Sequence, residues 1–464
     1  MLTQQQNDTL TRVGPDTAMG TLMRRYWVPA VLSWELPERD CPPLEVRLLG
    51  EDLAAFRQTD GRVGLVSAYC AHRRVNLFWG RNEENGIRCV YHGWKFDVDG
   101  RCSDMPSEPE TSNFKDRVRI PAYPTHEAGG VVWAYMGPPE KRPAAPYYQW
   151  TQVAPEQRGL SRVWQENNWL QALEGGIDTV HSNFLHYGRP PGLRYDDSDP
   201  RGRANNFSTA PRLEVVPTDF GYTYAGIRDM GDEDTNHVRA YHWIMPWTQI
   251  RGYVRGGGFS NAGHMWVPMD DHNTMVFNWN VVFEELTDGD AGPESLRTQL
   301  GASAEIIGSP AINEDSMPIW FRDARRLVGT GNDFVTDVDP ETFRPIRNRG
   351  NKYMIDRQRQ KTETFTGIQG INTQDRAVQE SMGLIADRSL ERLGSTDRAI
   401  IATRRFLLDA LADVAAGAEP PGLAQTYYGL RAFESVLPKD AHWYEAMASH
   451  LHTRESPPVS TTSP

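Results

Sequence analysis

Short apolar runs separated by turns dominate the chain from Glu45 to about Met136. Val46-Arg47-Leu48-Leu49, Arg62-Val63-Gly64-Leu65-Val66 and Gly130-Val131-Val132-Trp133-Ala134-Tyr135 are the clearest. Asp60-Gly61 and Asp99-Gly100 fall between such runs, and an Asp-Gly pair accepts the positive φ of a tight turn. The pattern predicts an all-β module of about 100 residues. Upstream lie a short helical stretch over 17–26 and a Pro-punctuated lead-in, Trp34-Glu35-Leu36-Pro37. Downstream, Gly137-Pro138-Pro139-Glu140-Lys141-Arg142-Pro143 reads as a linker.

Beyond the linker the period lengthens. A helix is expected over 167–174, leading into Asp178-Thr179-Val180-His181. Strand-like runs return at 213–216, 222–227, 238–244, 264–267 and 274–283, which predicts an antiparallel sheet with one face on a core. A short helix is expected at 294–306. The stretch 308–365 is long and irregular, as functional loops in compact domains often are. A helix is expected over 374–393, closed by Gly394. Ser395 or Thr396 caps the next, whose Ile400, Leu407, Leu411 and Val414 form a core stripe. A Pro-Pro-Gly break at 420–422 precedes another short helix and a low-complexity tail from Ser456. The class is α+β, in four parts: a lead-in (1–44), an all-β domain (45–145), an α+β domain with an antiparallel sheet (146–440) and a tail (441–464).

Composition narrows the partners. Of 464 residues, 39% are hydrophobic and 24% charged, which suits a globular enzyme, and the net charge of −12 disfavours nucleic acid and anionic membrane. The start, MLTQQQNDTLTRVG, has no apolar signal-peptide core, and no run reaches the ~20 apolar residues of a membrane helix. A cytoplasmic location is expected. The cysteines are Cys41, Cys70, Cys89 and Cys102.

Two of them change the picture. Cys70-Ala71-His72 is followed, sixteen residues later, by Cys89-Val90-Tyr91-His92-Gly93-Trp94. A Cys₂His₂ zinc site usually pairs Cys with Cys and His with His. Here each arm supplies one of each, the arrangement that binds a Rieske [2Fe–2S] cluster with thiolates on one iron and imidazoles on the other. A structural zinc loop is the alternative. A second constellation, Asp178-x-x-His181-x-x-x-x-His186, offers two imidazoles for a 2-His-1-carboxylate non-haem Fe(II) site. Glu174, Asp178 and His181 can share one helix face. His186 would lie about 140° off that face in a regular helix, so the helix must end or bulge near Ser182–Asn183. Unassisted, two histidines at a helix end are ordinary polar residues; the upstream cluster needs an electron acceptor, and that favours iron.

Together these motifs resemble the large (α) subunit of Rieske non-haem iron aromatic-ring-hydroxylating oxygenases, over about 24–415. The MRRYWVPA start and the ESMGLIADRSLERLGSTD stretch look most like the phthalate-dioxygenase-type branch. The resemblance implies a START-like (helix-grip) catalytic domain. It makes Cys70 and Cys89 ligands of one cluster iron, His72 and His92 of the other, and His181 and His186 ligands of the mononuclear iron. The third ligand comes from a later acid in Gln374-Asp375-Arg376-Ala377-Val378-Gln379-Glu380, where Asp375 fits best, near the opening of its helix, and Glu380 and Asp387 are rivals. Asp178 would bridge His92 of one subunit and His181 of the next, in a head-to-tail ring, α3 or a dimer of trimers. Where many members carry Glu-Asn, this chain has Glu174-Gly175-Gly176.

The resemblance also implies the reaction: O2 and electrons from a flavin- and iron–sulfur-containing, NAD(P)H-dependent reductase, used to hydroxylate an aromatic carboxylate or aryl ether. Dioxygenation and monooxygenation with demethylation both remain open. Neither Gly252-Tyr253-Val254 nor the glycines at 256–258 has the context of a nicotinamide fingerprint, so electrons must come from a partner. A substrate carboxylate would call for an Arg, and Arg212, Arg228 and Arg239 are candidates. A Rieske electron-transfer protein without oxygenase chemistry, or a lipid-binding domain with a vestigial cluster, are the alternatives.

Overall fold

The computed structural model describes residues 2–186, 195–255, 258–283, 338–424, 427 and 429–452. The helix expected at 294–306, the irregular stretch up to 337, Gly256, Gly257 and the tail from Ser456 lie outside them.

The first domain is all-β, as the run-and-turn pattern predicts. Leu44–Leu48, Glu51–Arg57, Val63–Ser67 and Ala122–Tyr123 form one antiparallel sheet, and Arg81–Glu83, Gly86–Arg88, Lys95–Phe96 and Cys102–Asp104 form a smaller one. Gly61 and Gly100 both take positive φ in the Asp-Gly turns, and a Cβ at Gly100 would lie 2.2 Å from the Ile120 carbonyl oxygen. The lead-in is more than an approach. Its Trp27–Leu32 is a strand paired with Val131–Tyr135. The helix expected over 17–26 is the shorter Ala18–Met23, started by the Thr17 hydroxyl, which accepts from Gly20 N at 3.0 Å.

The second domain is α+β on an eight-stranded antiparallel sheet. From one edge its strands run Arg158–Gln165, Thr274–Val282, Gly258–Pro268, Thr248–Arg255, Thr235–Ile244, Gly221–Asp229 and Arg212–Thr218, and Phe433–Pro438 adds to Thr235–Ile244. Arg158–Gln165, Thr248–Arg255 and Phe433–Pro438 were not expected from the pattern. The second starts in a stretch buried on both faces, with Gln249 inside, so polar and apolar positions do not alternate. The third replaces part of the short helix expected after 422; the helix there is Trp443–Leu451.

Helix Trp169–Ile177 crosses the sheet and is buried on nearly all sides. Asn168 caps it, its side chain accepting from Leu170 N at 3.1 Å. Two glycines bring it close to its neighbours: a Cβ at Gly175 would meet Gln379 Nε2 at 1.9 Å, and one at Gly176 would meet Trp266 Cζ2 at 2.0 Å. Glu174 does not share a face with Asp178 and His181. Asp178 already leaves helical geometry as the C-cap, and Glu174 turns the other way, to Arg404 Nε at 2.6 Å and Arg388 Nε at 3.0 Å. Arg388 is fully buried, so these contacts hold a charge that could not otherwise be placed there.

The helix expected over 374–393 is Ile371–Ser381. It stops at Met382, and Gly383 turns the chain at φ +97. The residues that follow are tied to the first helix instead: Ala386 N donates to Gln171 Oε1 at 2.6 Å and Asn168 N to Leu384 O at 2.8 Å. Arg398–Ala415 carries the expected core stripe, with Ile400 and Leu407 buried and Leu411 and Val414 packed against the same core.

Gly176→Ala should lower stability by about 1–3 kcal/mol, since the Trp266 ring must move aside. Urea unfolding followed by far-UV circular dichroism checks this, and a native-like midpoint would mean that the helix can shift away freely.

Candidate metal centres

The two cluster arms have the same backbone design. Cys70 N donates to Val75 O (2.9 Å) and Arg74 N to Cys70 O (3.0 Å); Cys89 N donates to Trp94 O (2.8 Å) and Gly93 N to Cys89 O (3.0 Å). The fourth residue after each cysteine turns the loop with positive φ, +62 at Arg74 and +80 at Gly93. The loops present two buried thiols to one another inside a core of Phe56, Val66, Leu77, Ile87 and Phe96. Burial, opposed by the His72 amide and reinforced by the Cys89 thiol, pushes Cys70 up to about 11. His72 and His92 sit on the outer side, with ring centroids 4.4 Å apart and planes at 71°. Trp94 stacks on His72 at 4.6 Å. Desolvation, the His72 ring and Arg73 keep His92 below the ordinary histidine value, which favours the neutral imidazole that a cluster iron takes. Thiols inside and imidazoles outside fit a [2Fe–2S] cluster with one iron toward solvent. Cys41 and Cys102 are buried free thiols.

The second centre is assembled from two remote segments. After Asp178 the chain makes a 3₁₀ turn, His181–Asn183, and Leu185 N closes back on His181 O at 2.7 Å. This turn brings His186 beside His181, so the helix ends earlier than Ser182–Asn183 and the requirement for a break is met. Nε2 of His181 and Nε2 of His186 are 3.1 Å apart, and each lies 3.4 Å from Asp375 Oδ1. Donors about 2.1 Å from one ion lie about 3.0 Å apart at right angles and about 3.4 Å apart at tetrahedral angles. One ion therefore fits all three, and two imidazoles with one carboxylate is the donor set of non-haem Fe(II). Among the described residues this is the one set of three His, Cys, Asp or Glu ligand atoms that all lie within 4.8 Å of one another. Asp375 lies in the second turn of its helix, not at its opening.

The imidazoles are oriented differently. His186 Nδ1 lies 2.8 Å from Gln374 Oε1. His181 Nδ1 is buried without a hydrogen bond, and its nearest acid, Asp178 Oδ2, is 3.7 Å away, beyond hydrogen-bond length. Asp178 is held by the Val180 amide at 2.7 Å. Burial opposes its ionisation, but His181 and the loop amides outweigh burial and keep its pKa below the usual value.

The rival acids are engaged elsewhere. Glu380 is buried, accepting from Glu166 N at 3.0 Å and from the Tyr353 hydroxyl. Asp387 is exposed and caps a turn through Ser389 N at 3.0 Å. Arg212 is exposed on an edge strand and pairs with Glu214, so the structure does not bring it to the iron-type triad. Arg239 faces Glu434 at 3.6 Å and Tyr241. Arg228 is buried and donates to Thr179 O at 3.1 Å, which clamps the loop carrying Asp178. Two further residues reach the triad. Gln374 was visible in sequence only as the neighbour of Asp375. Arg251 acts electrostatically on both His186 and His264, from a strand the pattern concealed.

Comparisons with known proteins identify both domains. Residues 26–124 match the Rieske [2Fe-2S] domain model, and residues 134–305 and 322–463 match the model described as LigXa C-terminal domain like. The chain is 36% identical over 458 residues to the phthalate 4,5-dioxygenase oxygenase subunit of Pseudomonas putida, covering 97% of this chain and 96% of the relative. It is 38% identical to the 3-chlorobenzoate-3,4-dioxygenase oxygenase subunit of Comamonas testosteroni, covering 97% and 99%. It is 30% identical to the 5,5'-dehydrodivanillate O-demethylase oxygenase subunit of Sphingobium sp., covering 91% and 84%. The fold is similar to that of Pseudomonas putida CBB5 NdmA with caffeine, with a TM-score of 0.56, 16% identity and coverage of 91% and 98%. Dicamba monooxygenase bound to dicamba gives a TM-score of 0.52 at 17% identity, covering 86% and 99%.

Asp375→Ala should cost the protein its mononuclear metal while leaving the cluster absorbance intact, and Asp387→Ala should lose nothing. Elemental analysis of the two variants decides it, and equal metal content in both would remove Asp375 from the donor set.

Proposed function

The chain belongs to the Rieske non-haem iron aromatic-ring-hydroxylating oxygenases, as an oxygenase (α) subunit of the phthalate-dioxygenase-type branch, and on that footing we propose how its residues divide the work. Cys70, Cys89, His72 and His92 hold the [2Fe–2S] cluster. His181, His186 and Asp375 hold the mononuclear Fe(II). The observation that carries this reading is the convergence of three donor atoms within 3.1–3.4 Å, from segments nearly 190 residues apart in sequence, downstream of a cluster-binding module. Bound iron supplies O2 activation. The chain supplies three donors and leaves the remaining positions to O2 and substrate.

Electrons come from a separate NAD(P)H-dependent reductase with flavin and an iron–sulfur centre. Asp178 then joins the centres of adjacent subunits. Its partly exposed carboxylate can accept from the N–H of His92 of the partner subunit and from His181 Nδ1, whose need for an acceptor is unmet within one chain. A second support is the apolar surface around the triad. Phe184 and Phe365 touch, and Ile371, Val378 and Met382 line the outer face of the Asp375 helix, all exposed. The cluster tip offers exposed Val90 and Tyr91 to meet such a surface. A ring of three copies, or two such rings, buries both faces. Unpaired Cys41 and Cys102 suit a reducing cytoplasm.

The substrate we assign is a small aromatic carboxylate, the class named in the phthalate and 3-chlorobenzoate relatives. Arg251, whose charge lowers the pKa of His186, is the candidate we take to receive the carboxylate, since Arg212 is exposed and paired with Glu214. Monooxygenation with demethylation of an aryl ether is the second reading, favoured by the O-demethylase relative. Product mass after turnover with O2 and a reductase separates the two.

Iron counting should give three irons per chain in the native protein and two in His181→Ala; two in both would leave an electron carrier without an oxygenase site. Asp178→Asn should keep both centres but slow oxidation of the reduced cluster in single turnover by about 10–100-fold. Native rates in that variant would break the proposed link between subunits.

A further inference from the structure

An imidazole can offer a metal only the nitrogen that lacks a proton, so each iron ligand needs something to fix its tautomer. For His186 the fixing group is Gln374. Gln374 Oε1 lies 2.8 Å from His186 Nδ1. An amide's oxygen and nitrogen ends are normally ambiguous. Here the other end settles them, because Gln374 Nε2 donates at 2.8 Å to the carbonyl oxygen of Ile368, a group that can only accept. The oxygen therefore faces the ring, and the ring must donate. His186 carries its proton on Nδ1, and Nε2 is left bare toward His181 and Asp375.

The anchor is itself ordered. Ile368 N donates to Thr366 Oγ1 at 3.1 Å, and Gln374 N donates to Gly370 O at 3.0 Å in the first turn of the helix. Gln374 is buried, so water cannot easily take its place. His181 has nothing comparable, since its Nδ1 is buried without a partner and faces a carboxylate at 3.7 Å.

We propose that Gln374 is a positioning residue for the mononuclear iron, which fixes His186 as the Nδ1–H tautomer through a relay that begins at the Ile368 carbonyl. This rests on the assignment of His181, His186 and Asp375 as iron ligands. Within one chain a neutral amide orients His186, whereas His181 Nδ1 has only a carboxylate at 3.7 Å, beyond hydrogen-bond length. The two imidazoles are thus held unequally.

The test uses the full-length protein with its cluster. Gln374→Met keeps the length and removes the acceptor; Gln374→Glu keeps an acceptor for Nδ1. Release of the mononuclear iron to a chelator should be about 10–100-fold faster in the Met variant and lie between native and Met in the Glu variant, which still accepts from Nδ1 but loses the donor to Ile368 O. Cluster absorbance and thermal midpoint serve as controls on folding. The visible ligand-field bands after cobalt(II) exchange should shift in the Met variant and return toward native in the Glu variant. Native release and spectrum in the Met variant would overturn the inference, as would equal loss in both variants, which would point to packing. Native protein holding only cluster iron would instead overturn the ligand assignment, and this inference with it.

Discussion

Everything at the second centre depends on how closely helix Trp169–Ile177 can approach helix Ile371–Ser381. The histidines follow the first helix and the aspartate lies on the second, so an error of an ångström between them would pull the donors apart. Gly175 makes that approach possible against Gln379, and Gly176 seats the same helix against Trp266 of the sheet. Hydrogen bonds then set the register: Gln165 to Gln379 at 2.6 Å, Gln171 to the Gln379 carbonyl at 3.1 Å, and Gln249 to the Gly176 carbonyl at 2.8 Å. Buried amides make good spacers here, because each donates and accepts without bringing charge into a low-dielectric region. The one buried charge on the first helix, Glu174, is answered by two arginines on the side away from the metal donors.

The cluster centre is built on another principle. Its donors lie within Cys70 to His92, and two loops of like hydrogen bonding hold them without help from the second domain. That difference decides what could be read in the sequence. The C-x-H and C-x-x-H arms announce their chemistry because ligand spacing and loop geometry are the same fact. The histidine pair at 181 and 186 was legible as a candidate, and so was the need for the helix to break. The acid could be ranked only by resemblance, since Asp375, Glu380 and Asp387 look alike in one dimension. The fold separates them by burying Glu380 under Tyr353 and leaving Asp387 to cap a turn.

The sheet shows the same limit. Gly221–Asp229 and Thr274–Val282 stood out as largely apolar or aromatic runs, although both of their faces are buried. Thr248–Arg255 did not, because polar Thr248, Gln249 and Arg251 interrupt its apolar positions, Thr248 and Gln249 being buried. Those polar residues matter most near the metal donors: Gln249 supports the helix, and Arg251 acts on His186. Arg212, a candidate because it sits in a catalytic-domain strand and a substrate carboxylate calls for an arginine, lies on an exposed edge where an arginine costs little. Strand periodicity finds the scaffold best where the residue does least, and it weakens where a buried polar side chain breaks the alternation for a purpose.

Among the described residues with a buried polar atom that lacks a partner, His181 is the one that also belongs to the metal-donor triad. Buried donors are almost always paired, and a buried imidazole nitrogen with no partner costs about 1–3 kcal/mol. His181 Nδ1 is in that position beside a carboxylate already committed on one oxygen to the Val180 amide. Rotating Asp178 to satisfy His181 would cost that amide its 2.7 Å bond. A group that approached Asp178 from outside could compensate for that loss and make closure of the 3.7 Å gap favourable. An unpaired nitrogen next to an adjustable acid would serve the subunit contact proposed above. His186, by contrast, is satisfied at Nδ1 by Gln374 from within its own chain.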